Sequence, residues 1–183
     1  MYSLLLVSAI LTVVVAYNIN IPKHCELPLD MGKTPCKGGK KEIRYHFDTK
    51  AFIPLAFEYT GCGGNKNNFK TEGNCRAECL GIDYNSCAAG SAPFPKPDTC
   101  QEDKDCGPKG SCTWGSGFKI CCDKKITTDF EADWNPKCPK GKKVVQDDIG
   151  GIPITVVGKT CKSKFCPAGA TCVEGNYFAT CCK

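Results

Sequence analysis

The chain has 183 residues, of which 17 are cysteine, and carries a formal net charge of +5. Cysteine at about a tenth of the residues is the density of an exported disulfide scaffold, not of a chain held by one ordinary apolar core. The charge is too mild for this length to argue for nucleic acid, and the two histidines leave little material for metal or acid–base chemistry.

The run from Ser3 to Val15 reads SLLLVSAILTVVV. It is shorter than the ~20 residues a membrane span needs. Val14-Val15-Ala16 presents small side chains as a signal peptidase reads them, so 1–16 is expected to be a signal peptide cleaved after Ala16, although no Lys or Arg precedes it. The competing readings are an uncleaved anchor or a buried helix. No later stretch is long and apolar enough to cross a bilayer, so a secreted, extracellular protein with no membrane partner is expected.

The cysteines fall into three groups. The first is Cys25, Cys36, Cys62, Cys75 and Cys79; the second runs from Cys87 to Cys122; the third runs from Cys138 to Cys182. An odd total means that one thiol has no partner within the chain, or pairs with a second chain. In the first group, Arg44–Phe47 and Leu55–Tyr59 are aromatic-rich and suit a hairpin, with Asp48–Ala51 as its turn. Cys75 and Cys79 are four apart and share a helical face. The segment 88–97, with three prolines, reads as a linker.

The second and third groups repeat one pattern. Each has Cys-x-x-Gly (Cys87/Gly90, Cys138/Gly141), then Thr-Cys (Thr99-Cys100, Thr160-Cys161), then Cys-x5-Cys-x8-Cys-Cys. Gly115 matches Gly175 and Phe118 matches Phe178, so a duplication is favoured. Phe118–Ile120 and Tyr177–Thr180 read as short strands ending at the cysteine pairs. Val144-Val145 and Ile154–Val157 flank a Gly-Gly turn and suggest a hairpin, and 124–136 reads as a second linker. Adjacent cysteines are not expected to pair with each other, because the bond geometry is strained. Otherwise the 15 connectivities within each six-cysteine group stay open.

Zinc is the rival explanation for any cysteine cluster. Zinc ligand pairs usually sit at Cys-x2–4-Cys with His or a second pair nearby; here only His24 and His46 are present, and export favours oxidation. No nucleophile–base arrangement is recognisable. The chain is therefore expected to be no enzyme and to need no metal or cofactor. Asp147-Asp148 and Glu102-Asp103 read as solvated surface.

Cys25-Glu-Leu-Pro28 with Gly32, Arg44-Tyr-His-Phe-Asp48, Phe57-Glu-Tyr-Thr-Gly-Cys-Gly-Gly-Asn65, Asn67-Asn-Phe69 and Cys75-x3-Cys79 together resemble a Kunitz-type (pancreatic trypsin inhibitor) domain, over about a third of the chain. The resemblance implies a small disulfide-rich α+β fold, a twisted β-hairpin with a C-terminal helix, and the pairs Cys25–Cys79 and Cys36–Cys62. Two departures stand out. The family's third cysteine belongs at position 54, where this chain has Pro54. The third bridge therefore cannot form, Cys75 is left as the unpaired thiol, and Pro54 is expected to weaken the strand ladder. The loop is also longer than the family's by two residues on each side of Cys36. In the family the residue after the second cysteine enters the protease's primary pocket; here that is Lys37, followed by Gly38, with Cys36, Cys62 and Gly61 as loop support. Lys33, Lys37, Lys40 and Lys41 can equally be a solvated basic face.

The second and third groups resemble lustrin-type cysteine-rich repeats, which accompany Kunitz domains in secreted nematode proteins. The match is best in Cys166-Pro-x-Gly-x2-Cys172 and Cys181-Cys182. The spacing of Cys100 and Cys106 also resembles four-disulfide-core inhibitors, but the later cysteines do not fit. The expected organisation is a Kunitz-like domain at 17–82 with its core at 25–79, then mostly loop and β cysteine-rich modules at 83–124 and 125–183. The resemblance implies a serine-type endopeptidase inhibitor directed at a trypsin-like protease. The alternatives are a non-inhibitory extracellular binding or matrix protein and a channel-directed basic Kunitz polypeptide. A monomer is expected, with a covalent dimer through Cys75 as the other outcome. N-terminal sequencing of protein collected from the medium should begin at Tyr17; an intact Met1 overturns the leader reading.

Overall fold

The computed structural model describes residues 21–80, 87–95, 97–115, 117–149 and 151–183. The leader reading at 1–16 and the junction at 82/83 lie outside the described residues.

Strand β1 (Glu42–Asp48) pairs antiparallel with β2 (Ile53–Tyr59), Arg44 opposite Phe57 and His46 opposite Leu55. The turn between them closes because Asp48 Oδ1 accepts the N–H groups of Lys50 and Ala51 at 3.0 and 2.8 Å, the usual role of aspartate in a turn. Helix α1 (Glu72–Cys79) starts at Thr71, whose hydroxyl accepts the Asn74 N–H at 3.1 Å. The buried Asn67 ties these parts together. Its carbonyl accepts the Phe47 N–H at 2.7 Å, and its amide donates to the carbonyls of Cys25, Leu27 and Phe47. Cys25, Phe47, Phe52, Phe69, Cys75 and Cys79 form the core beneath α1.

Pro54 does not weaken the ladder, contrary to the expectation from sequence. Tyr45 and Phe47 turn their backbone groups away from β2, Tyr45 toward Phe69 at 2.9 and 2.8 Å and Phe47 toward the Asn67 amide. Pro54 sits opposite Phe47, at a site that carries no ladder bond between these strands. Its missing N–H lies on the outer edge of β2, where proline is tolerated.

The second group contains hairpin β3 (Gly110–Trp114) and β4 (Lys119–Asp123). Residues 124–136 are not a linker: Lys124–Trp134 is an α-helix, α2. Asp123 caps it by accepting the Ile126 N–H at 3.0 Å, Lys125 pairs with Asp129 one turn on, and Phe130 and Trp134 form an apolar stripe at i, i+4. The third group supplies hairpin β5 (Gln146–Ile149) and β6 (Ile152–Thr155), then β7 (Val157–Gly158), β8 (Thr171–Val173) and β9 (Ala179–Cys182).

Both repeats adopt the same connectivity. Cys87–Cys122, Cys100–Cys112 and Cys106–Cys121 in one correspond to Cys138–Cys182, Cys161–Cys172 and Cys166–Cys181 in the other. Their surroundings differ. Phe178 is 1% exposed, whereas its counterpart Phe118 is 45% exposed.

The third group is not a separate module. Its strands continue the first hairpin into one five-stranded sheet of order β1-β2-β7-β9-β8, with β7 parallel to β2 at Ala56 and Gly158. Ala51 and Leu55 pack on Val157 and Phe178 on one side of the seam, and Ala56 packs on Phe165 and Ala179 on the other. Gly158 is required there, since a β-carbon would lie 2.3 Å from the Phe165 ring. Lys159 pairs with the buried carboxylate of Asp48, and Lys50 donates to the Asn176 carbonyl at 3.1 Å. At the far end of α2, Asp133 accepts the N–H groups of Asn176 and Tyr177 at 2.9 and 2.6 Å.

Burial is the largest influence on the Asp48 carboxyl and opposes its ionisation. Contacts with His46, Lys159 and the Ala51 N–H together outweigh it and hold Asp48 well below the usual carboxylate range. Its stabilising contribution is therefore complete above about pH 4, where an unfolded aspartate is also ionised, and is lost as pH falls toward the lowered folded value. Asp48→Asn is expected to cost about 1–3 kcal/mol in urea unfolding of the disulfide-bonded protein at pH 7. The variant should also lose part of the acid sensitivity expected of the natural chain below about pH 4.

Candidate functional site

Lys37 and Gly38 form a turn at the tip of the segment between Gly32 and β1, and both are exposed. The base of that segment is pinned by the Cys36–Cys62 disulfide, with Cα atoms 5.9 Å apart. Two arms run side by side beneath it. Lys33 N–H donates to the Cys62 carbonyl at 2.9 Å and Thr60 N–H to the Met31 carbonyl at 3.0 Å. Tyr59 Oη donates to the Gly63 carbonyl at 2.7 Å, and the Asn65 amide donates to the Pro28 carbonyl at 2.8 Å.

The added residues beside Cys36 fold back onto this base. Gly39 lies against Cys36 Sγ and the Thr60 carbonyl, so that a β-carbon there would overlap both. Gly61, at φ +95°, faces Lys40, and any side chain at 61 would meet the Lys40 backbone at 2.7–2.8 Å. Lys33, Lys37, Lys40 and Lys41 are all exposed. Lys41 is held by Glu58 at 2.8 Å, and no ion pair engages Lys37 or Lys40 among the described residues. The loop thus presents unpaired ammonium groups at Lys37 and Lys40, that of Lys37 at its tip. The residues that join its arms, Met31, Thr60, Tyr59 and Asn65, carry no signal in isolated sequence; only their place in the resembled pattern hints at them.

Cys25 pairs with Cys79, Cα atoms 5.8 Å apart, behind α1. Cys75 is the free cysteine and has no exposed surface. Burial, and then the Glu72 carboxylate, push its thiol far above the ordinary range, so it is a poor nucleophile. A thiol in that position has no surface from which to bridge a second chain. The sulfur atoms of Cys100, Cys106 and Cys121 lie close together, but all three are in disulfides and offer no thiolate to a metal.

A model of the Kunitz/Bovine pancreatic trypsin inhibitor domain matches residues 24–80. The chain is 39% identical over 170 residues to Major allergen Ani s 1 of Anisakis simplex, covering 87% of each. It is 32% identical over 162 residues to the BPTI/Kunitz inhibitor domain-containing protein C02F12.5 of Caenorhabditis elegans, covering 87% of this chain and 89% of that one. Over 59 residues the chain is 48% identical to the Kunitz-type serine protease inhibitor homolog dendrotoxin K of Dendroaspis polylepis polylepis, 32% of this chain and 70% of that one. The chain belongs to the Kunitz/BPTI domain proteins.

Pro54 stands on the face of β2 that α1 covers, opposite Phe47, which packs on Cys75. Pro54→Cys is expected to form a bridge with Cys75, removing the one titratable thiol in denaturant and raising stability by about 2–4 kcal/mol in chemical unfolding. In the natural chain Cys75 should react with alkylating reagents only on unfolding. Rapid modification of the native protein overturns its placement.

Proposed function

We propose that the protein is a secreted inhibitor of trypsin-like serine endopeptidases, acting through the Lys37–Gly38 bond. The observation that carries this is the unpaired ammonium of Lys37 on an exposed tip directly after Cys36, with the loop base clamped to Cys62. The tip also lies beyond the Tyr59 end of β2, while the third cysteine group packs on Ala51–Ala56. The third group therefore leaves the approach to Lys37 open. A lysine ammonium suits a primary pocket that ends in a carboxylate. The disulfide and the paired arms limit the order that must be gained on binding, whereas the longer loop adds about 1–2 kcal/mol for each residue that becomes fixed.

A non-inhibitory extracellular binding protein is the second reading. The lengthened loop favours it, as do the exposed Trp114 and Phe118 of the second group, 73% and 45% accessible. The two C-terminal groups are proposed to be lustrin-type repeats, at 83–124 and 125–183.

Titration of trypsin with the full disulfide-bonded chain separates the readings. Weak to moderate inhibition is expected. Lys37→Ala should weaken it on the order of 10²-fold, the loss of one partner of a desolvated charge pair. Lys40→Ala and Lys41→Ala should change it little, because exposed pairs such as Lys41–Glu58 contribute about 0–1 kcal/mol. If trypsin-like, chymotrypsin-like and elastase-like enzymes all stay fully active at micromolar protein, or if trypsin nicks the chain at Lys37 and releases it, the binding reading replaces the inhibitor.

A further inference from the structure

A cleft of about 430 Å³ opens where the first hairpin, the end of α2 and the β5–β6 hairpin meet. Its apolar walls come from Ile53 and Pro54 on β2, Val157 on β7, Ile154 on β6 and the ring of Trp134. The volume is at the small end of the roughly 300–1,000 Å³ of small-molecule sites. The cleft exists only in the joined fold, because its walls come from both halves of the chain.

Three charged groups line it: Glu72, Arg76 and Asp147. Glu72 binds the Arg76 guanidinium at 2.9 and 2.6 Å, so those two charges cancel. The Asp147 carboxylate takes part in no ion pair or hydrogen bond among the described residues. It stands directly opposite Ile154 across the β5–β6 hairpin, so the two side chains project from the same face. The Tyr45 phenol faces the same space, and its ionisation is pushed up by burial first and then by the nearby carboxylates of Asp147 and Glu72. The cleft therefore combines an apolar lining, two aromatic rings and one unmatched negative charge, in a chain whose overall charge is +5.

We propose that this cleft is a binding site for a small organic amine bearing an aromatic or branched apolar group. The ammonium neutralises Asp147, and the Tyr45 and Trp134 rings favour a cation beside them. The apolar part fills the space against Ile53, Pro54 and Val157. An anion meets the Asp147 carboxylate, and the charge of Arg76 is already offset by Glu72, which accepts its Nε and Nη2 donors. A neutral ligand of the same shape leaves that carboxylate partly stripped of water without a partner. The site lies at the opposite end of β2 from Lys37 and does not rest on the inhibitor reading.

The test is calorimetric titration of the full disulfide-bonded chain with 2-phenylethylamine, 2-phenylethanol and 3-phenylpropionate at pH 7. The amine is expected to saturate one site, and the alcohol and the acid to bind at least about tenfold more weakly, which corresponds to about 1.4 kcal/mol. Asp147→Asn should lower amine affinity by a similar factor. Ile154→Lys places an ammonium beside Asp147 from within the chain and should abolish amine binding. Both positions are on a surface hairpin, so the circular dichroism and trypsin titration of both variants should match the natural protein. Equal binding of the amine and the alcohol overturns the proposal, as do preference for the acid, insensitivity to Asp147→Asn, and no saturation into the millimolar range. Tighter binding of a short peptide with an N-terminal phenylalanine than of the free amine also overturns it, because the cleft would then serve a chain terminus.

Discussion

The seam along the outer edge of β2 is the constraint on which the rest of the molecule depends. A two-stranded hairpin under one short helix buries little apolar surface, and here it lacks one of the crosslinks that its relatives' pattern leads one to expect. The third cysteine group compensates by lying along β2, with Leu55 and Ala51 against Phe178 and Val157, and Ala56 against Phe165. Pro54 fits this arrangement, because the edge it faces needs no donor at that point. The Lys159–Asp48 pair and the Lys50–Asn176 bond fix the seam in register.

The seam also determines what is left accessible. β2 is covered from its turn to its middle and free at Tyr59, and the Cys36–Cys62 loop projects from that free end. The rigidity of the loop comes from the disulfide, from paired backbone in its two arms and from Gly39 and Gly61, whose missing side chains let the strands approach. Its length works in the other direction, since each added residue has conformational freedom to lose. The balance of these two terms separates a tight inhibitor from a scaffold of the same shape.

The two repeats show how one disulfide framework serves two purposes. Their bridges connect in the same order, and both place a hairpin strand through the adjacent cysteine pair. In the third group the aromatic of the eight-residue gap, Phe178, is covered by Phe130 and Trp134 of α2 and by β2. In the second group its counterpart Phe118 stays at the surface, near Trp114 on the same hairpin. The framework sets the backbone of each repeat, and the neighbours set what each face does.

Much was legible in the sequence. Cysteine density, the spacing around Cys62 and Cys75, the internal duplication and the position of Lys37 are local patterns, and local patterns survive in one dimension. The cap at Asp123 and the i, i+4 pair of Phe130 and Trp134 belong to α2, where the sequence reads as a linker. The pairing within each repeat, the harmless place of Pro54 and the cleft beside Asp147 could not be read in this way. Each depends on which residues distant in sequence come together. The chain by itself determined that disulfides would hold small units and that a lysine would follow the second cysteine. Only the tertiary structure decided that the first and third units share one sheet, because the apolar and hydrogen-bonding edge of β2 is completed by residues about 100 positions away, and no spacing rule within either segment encodes that contact.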